Sequence, residues 1–107
     1  MYAMIRRYGV KDQSAFDDIQ GLRQRIERGM LPRLQEIPGF HCYYVVAGDD
    51  DREVVTISIF ENRDGAREST RRAAEFVRDD PMRDQLGTPE ITEGELLVSR
   101  EAAVGAH

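Results

Sequence analysis

The apolar positions of this chain change period along its length. Residues 2–8 are rich in aromatic and branched side chains (Tyr2, Met4, Ile5, Tyr8) and predict a first strand ended by Gly9. Phe16, Ile19, Leu22, Ile26 and Met30 then recur at three- and four-residue steps, which is one apolar stripe of a helix. Asp12 or Ser14 can cap its free amides, and Asp17 and Asp18 suit the positive end of its dipole. Gly21 and Gly29 weaken this helix, and Pro32 removes a hydrogen bond to the preceding turn. A kink or break is therefore expected near Gly29 to Pro32. Leu34 and Ile37 would continue the packing in a short second piece that Pro38-Gly39 ends.

Alternation returns at Phe40–Ala47 and Glu53–Phe60, the clearest strands of the chain. The polar turn Gly48-Asp49-Asp50-Asp51-Arg52 between them predicts an antiparallel hairpin. A second helix is predicted from Asn62 or Asp64, with Ala66, Thr70, Ala73, Phe76 and Val77 on one side and Asp79-Asp80-Pro81 at its end. A loop through Gly87-Thr88-Pro89 leads to a last strand at 91–99, and the tail over 101–107 is expected to fray. The order is β-α-β-β-α-β. Right-handed crossovers place both helices on one face of a four-stranded antiparallel sheet, giving one α+β domain over residues 1–100.

The helix-covered face needs an apolar side chain at every second position. In the third strand Val55, Ile57 and Ile59 supply this and are assigned to it. The opposite parity, Val54, Thr56, Ser58 and Phe60, is too apolar for a solvent face, and the second strand is ambiguous in the same way. The helix-free face is thus expected to be covered as well, by a second copy packed sheet to sheet as a homodimer.

Charge narrows the partners. With a net charge of −5, a general nucleic-acid or anionic-membrane role has no electrostatic basis. Arg63, Arg67, Arg71, Arg72 and Arg78 fall together, but Glu68, Glu75 and Asp79 interleave with them as on a solvated helix face. The lone Cys42 has no disulfide partner in the chain and reads as a buried thiol. The first residues lack the apolar region of a signal peptide and no stretch approaches transmembrane length, so a cytoplasmic protein is expected. Asp49-Asp50-Asp51 lacks the ligand alternation of a calcium loop, and no zinc spacing or phosphate loop occurs. No metal and no cofactor are expected.

Few residues carry candidate chemistry. His41 is the one histidine within the predicted elements and the natural base at neutral pH; its plainer reading is a strand-edge or dimer contact. Tyr43, Tyr44 and Tyr8 can orient an aromatic ligand or simply pack with satisfied hydroxyls. Asn62 is a ligand-binding candidate whose plainer reading is a helix cap or turn residue. Ser58 needs a hydrogen-bond partner among its apolar neighbours. Arg6 and Arg7 lie on opposite faces of the first strand, so one must point inward and meet an acid or an anionic ligand; Arg7 is taken as the ligand-binding one, with Glu93 and Glu95 as possible acid partners.

The order of elements, the Ile37-Pro38-Gly39-Phe40 junction, the run Ser58-Ile59-Phe60-Glu61 and Thr92-Glu93-Gly94-Glu95 together resemble the dimeric α/β-barrel superfamily of ferredoxin-like domains, in its antibiotic-biosynthesis-monooxygenase-like branch. The resemblance spans residues 1–100. It implies oxidation of an aromatic, phenol-like molecule without cofactor: the substrate loses a proton and its anion reacts directly with oxygen. On that reading His41 and Tyr43 are the catalytic candidates, and Arg7, Tyr44, Ser58 and Asn62 the substrate-binding ones. The haem-degrading branch uses an Asn, a Trp and a His on the second helix; this chain has no Trp, and its predicted second helix has no His. The superfamily holds many other activities, so the rival reading is a non-catalytic homodimer that binds a metabolite or partner.

Overall fold

A computed structural model describes residues 1–102. Four strands, β1 (Tyr2–Gly9), β2 (Phe40–Ala47), β3 (Glu53–Phe60) and β4 (Glu90–Glu95), form one antiparallel sheet in the order β2-β3-β1-β4. The helices α1 (Ile19–Arg25), α2 (Leu31–Gln35), α3 (Arg63–Arg78) and α4 (Met82–Gln85) complete the ferredoxin-like α+β fold expected from the pattern. None of the described helices is long and apolar enough to cross a membrane.

The first helical region departs from expectation at both ends of its stripe. Asp12 caps a short 3-10 turn, Gln13–Phe16, by accepting from the Ser14 amide, and α1 starts only after Asp18, which accepts from the Gly21 amide. The kink or break expected near Gly29 to Pro32 takes the form of a change of helix type and not of an interruption. A π-turn, Ile26–Met30, joins α1 to α2, and the Leu31 amide donates to the Ile26 carbonyl. The extra residue in that turn lets a proline that lacks an N–H follow without interrupting the helix. Gly29 in the turn is needed for close approach: a Cβ there would stand 2.4 Å from the Phe76 ring of α3.

β2 and β3 match the predicted bounds. Gly39, at φ +84°, turns the chain into β2, a conformation that favours glycine. The last strand is shorter than predicted and stops at Glu95 because its partner β1 begins at Tyr2; only the Leu96 amide reaches further, to the Met1 carbonyl. Leu97 and Val98 beyond it are each 85% exposed. The frayed-tail expectation for 101–107 lies mostly outside the described residues.

The parity of β3 is the reverse of that expected. Val54, Thr56, Ser58 and Phe60 are buried beneath the helices, whereas Val55, Ile57 and Ile59 lie half-buried on the open face. The register extends this to the whole sheet. Tyr2, Met4, Arg6 and Tyr8 stand opposite Phe60, Ser58, Thr56 and Val54 on the helix side, and Ala3, Ile5 and Arg7 share the open side with Ile59, Ile57 and Val55. A β-bulge between Phe40 and Cys42 sets β2 so that Tyr43 and Val45 face the helices while Cys42, Tyr44 and Val46 face out. Apolarity alone misassigned the face because two hydroxyls sit inside it and three branched side chains sit outside. Cys42, expected to be buried, is half-buried on that open face.

The core lies between sheet and helices, built on Met4, Met30, Leu34, Ile37, Phe60, Ala66, Ala73 and Phe76. The arginine run of α3 is a solvated ion-pair lattice, as its charge alternation predicts. Arg71 pairs with Glu68 and Glu75, Arg72 with Glu68 and Glu36, and Arg67 with Glu93, while Arg63 bonds the Tyr2 hydroxyl. Two guanidinium groups hold the Glu68 carboxyl down to about 2.

Candidate functional site

β2 is an edge strand that the helical layer meets chiefly through α2. A cleft of about 480 Å³ remains there, walled by Phe16, Ile19, Leu22 and Ile26 on one side and Tyr43, Val45 and Val54 on the other, with Met82 and Leu86 at one end. Its lining is apolar except for Arg23, Glu27 and the Tyr43 hydroxyl. A cavity of this size and character suits a small organic molecule.

Behind Tyr43 the central strands carry a polar cluster under the helices. Arg6 is 1% exposed and stands opposite Thr56, and Ser58 lies between Met4 and Tyr43 in the register. The Arg6 Nη1 donates to Ser69 Oγ and Thr70 Oγ1 of α3, each at 3.2 Å. The Nε and Nη2 of Arg6, Thr56 Oγ1 and Ser58 Oγ have no partner among the described residues. Such groups are rare in a packed interior, where an unmet polar group costs about 1–3 kcal/mol.

Both tyrosines of the cluster are held neutral. Burial pushes the Tyr43 hydroxyl up to about 12, against the opposing pull of Arg6, and burial raises Tyr8 in the same way. Tyr43 is therefore a hydrogen-bond donor at neutral pH and not a base. The raised value also sets a pH signature. The folded protein keeps the proton that the unfolded chain loses near 10.0, so this stabilisation is complete below pH 10 and is lost as pH rises toward 12. Between pH 9 and 11.5, urea unfolding of the native sequence should lose about 2 kcal/mol more than that of Tyr43→Phe. Equal losses in the two proteins would mean that the hydroxyl is not buried as a neutral donor.

The remaining candidates are dispersed. His41, at the bulge, has a side chain 41% exposed, with Nε2 3.7 Å from a Glu61 carboxylate oxygen, and it does not line the cleft. Tyr44 is on the open face and 58% exposed. Asn62 caps α3, its Oδ1 accepting from the Gly65 amide at 3.0 Å. Arg7 points out of the open face, with Nε 3.6 Å from Glu53, so Arg6 is the inward member of the pair. The acid foreseen for the inward arginine is engaged elsewhere, since Glu93 pairs with Arg67 at 3.3 Å. Tyr43 and Ser58 are thus the candidates brought together. Arg6 and Thr56 were passed over for want of the strand parity, and Leu86 and Met82 because nothing local marks residues that close a cleft. No group of three or more metal-ligating side chains occurs among the described residues.

No family model matches the chain, and no curated protein matches it. Solved structures do. A Streptomyces coelicolor monooxygenase in complex with nanaomycin D superposes with a TM-score of 0.70 at 18% identity, covering 95% of this chain and 92% of its own. A cofactor-independent oxygenase from Streptomyces nogalater, SnoaB, superposes at 0.57 with 16% identity, covering 94% of both chains. A dimeric ferredoxin-like protein from an uncultured marine organism superposes at 0.66 with 4% identity, covering 95% of this chain and 92% of its own. The chain therefore shares the ferredoxin-like fold of these structures.

Proposed function

We propose that this protein is a homodimeric, monooxygenase-like domain that takes a small aromatic molecule into the cleft beside β2 and oxidises it without a cofactor. The unfilled cleft of about 480 Å³ carries this reading: a domain with a purely structural role has reason to close such a gap with side chains. The chemistry of the superposing monooxygenase and oxygenase supports it by analogy of fold.

In an anthrone-like substrate, a ring CH₂ flanked by phenolic rings loses a proton, and the carbanion reacts with O₂. The CH₂ becomes a carbonyl and the second oxygen atom leaves as water. Tyr43, neutral and on the cleft wall, donates to the developing oxyanion. Glu27, the carboxylate of the lining, takes the proton in place of His41, which lies outside. That position of His41 is also the observation favouring the rival reading, a dimer that binds a metabolite without turning it over.

The homodimer reading rests on the open face. Val55, Ile57, Ile59, Ile5, Tyr44 and Val46 form an apolar sheet surface, and Leu97 and Val98 extend exposed from the end of β4. A second copy of the same face is the cover such a surface calls for.

Fluorescence titration and oxygen uptake with dithranol, an anthrone, test the function. Binding with one O₂ consumed per substrate is expected, with uptake reduced about a hundredfold in Tyr43→Phe and unchanged in His41→Ala. Binding without uptake selects the non-catalytic reading, and absence of binding refutes both.

A further inference from the structure

A second cleft, of about 350 Å³, lies on the other side of Tyr8, between β1, α3 and the loop at 87–89. Four cationic residues line it, Arg6, Lys11, Arg78 and Arg83, together with the hydroxyls of Tyr8, Thr70 and Thr88; none of its lining residues is acidic. This composition stands out in a chain with a net charge of −5. Ala74, Val77, Leu86 and Pro89 supply apolar wall.

Arg6 contributes to its lining and is the least ordinary group in the protein. It is 1% exposed, no carboxylate of the described residues pairs with it, and its Nε and Nη2 lack acceptors. A guanidinium remains charged even when buried, and an isolated buried charge costs far more than an unmet hydrogen bond. A trapped water would satisfy the nitrogens but leave the charge uncompensated. The rim does not balance it either. Lys11 makes no ion pair among the described residues, and Arg78 and Arg83 reach only the solvent-exposed Asp79 and Asp84 beside them, at 3.4 and 3.6 Å. Salt bridges of that kind are weak.

We propose that this cleft binds a small organic oxyanion, a carboxylate carried on an apolar ring. The carboxylate would compensate the Arg6 charge and accept from its unpartnered nitrogens, the rim cations would draw it in, and the ring would lie against Ala74, Val77, Leu86 and Pro89. This site is separate from the cleft beside β2 and does not depend on any oxidation there.

Calorimetric titration of the full chain with 1-naphthoate tests it, with 1-naphthamide as the uncharged counterpart and inorganic phosphate as the ringless anion. Naphthoate should bind at least about tenfold more tightly than naphthamide, with phosphate weaker than naphthoate, and raised salt should weaken the binding. Arg6→Met should abolish it, whereas Arg52→Met, in the exposed hairpin turn, should not. Should Arg6→Met fail to fold, two variants leave Arg6 in place: Ala74→Trp to obstruct the cleft, and the rim pair Lys11→Ala with Arg83→Ala. Each should weaken naphthoate several-fold while Tyr43→Phe leaves it unchanged. Equal binding of acid and amide, phosphate binding as tight as naphthoate, or naphthoate binding indifferent to Ala74→Trp and to the rim pair would overturn the proposal. Loss of naphthoate binding in Tyr43→Phe alone would place the ligand in the other cleft and overturn it too.

Discussion

Phe60→Ala is expected to lower the unfolding free energy by about 3–5 kcal/mol, the range for truncating a buried aromatic ring. Phe60 is fully buried at the end of β3, where three parts of the fold meet. Its ring packs edge-on against Phe40 of β2, with centroids 5.7 Å apart and planes at 66°. It also lies under the first turn of α3, where a Cβ on Gly65 would come within 3.0 Å of it. Removing the ring therefore opens a cavity bounded by two strands and a helix start that Asn62 fixes in place, which limits collapse. In a chain of this size the loss corresponds to a fall in Tm of the order of 15 °C. Phe60→Leu keeps most of the volume and should cost less than half as much. A thermal scan in which Phe60→Ala melts within a few degrees of the native sequence would show that the strand end and α3 are not coupled through this ring.

The fold was legible because its signals are local. Strand bounds at Phe40–Ala47 and Glu53–Phe60, the Asn62 cap and the hairpin turn each follow from a few neighbouring residues. The site was not, for reasons that can be named. Period two shows that a strand has two faces, but not which one the helices cover. Hydrophobicity is a poor guide when Thr56 and Ser58 are placed inside near Arg6, and Ile57 and Ile59 outside. A one-residue bulge at His41 then decides that Tyr43 faces in and Tyr44 out, and no residue type announces a bulge. The choice between Arg6 and Arg7 inherits the same ambiguity. Long-range pairing settles all three, and pairing is what a single strand's sequence does not contain.

Ile57→Asp is expected to convert a dimer into a folded monomer. In light scattering at micromolar concentration the native protein should show twice the mass of the 12.2 kDa chain, and the variant that of one chain. Ile57 lies mid-strand on the open face, between Ile5 of β1 and Tyr44 of β2, so it sits near the centre of the surface that a second copy would cover. A carboxylate there would be buried against its own symmetry mate, a desolvated like-charge contact costing several kcal/mol. The same side chain makes no part of the helix-side core, which is carried by the alternate residues Val54, Thr56, Ser58 and Phe60. Circular dichroism should accordingly remain native while the mass halves. Phe60→Asp, on the opposite face of the same strand, provides the contrast: it points beneath the helices and should unfold the chain instead. A native protein that is monomeric at micromolar concentration, or an Ile57→Asp variant that stays dimeric, would remove the open face as the interface. It would also leave six exposed or half-buried apolar side chains of the open face without an explanation.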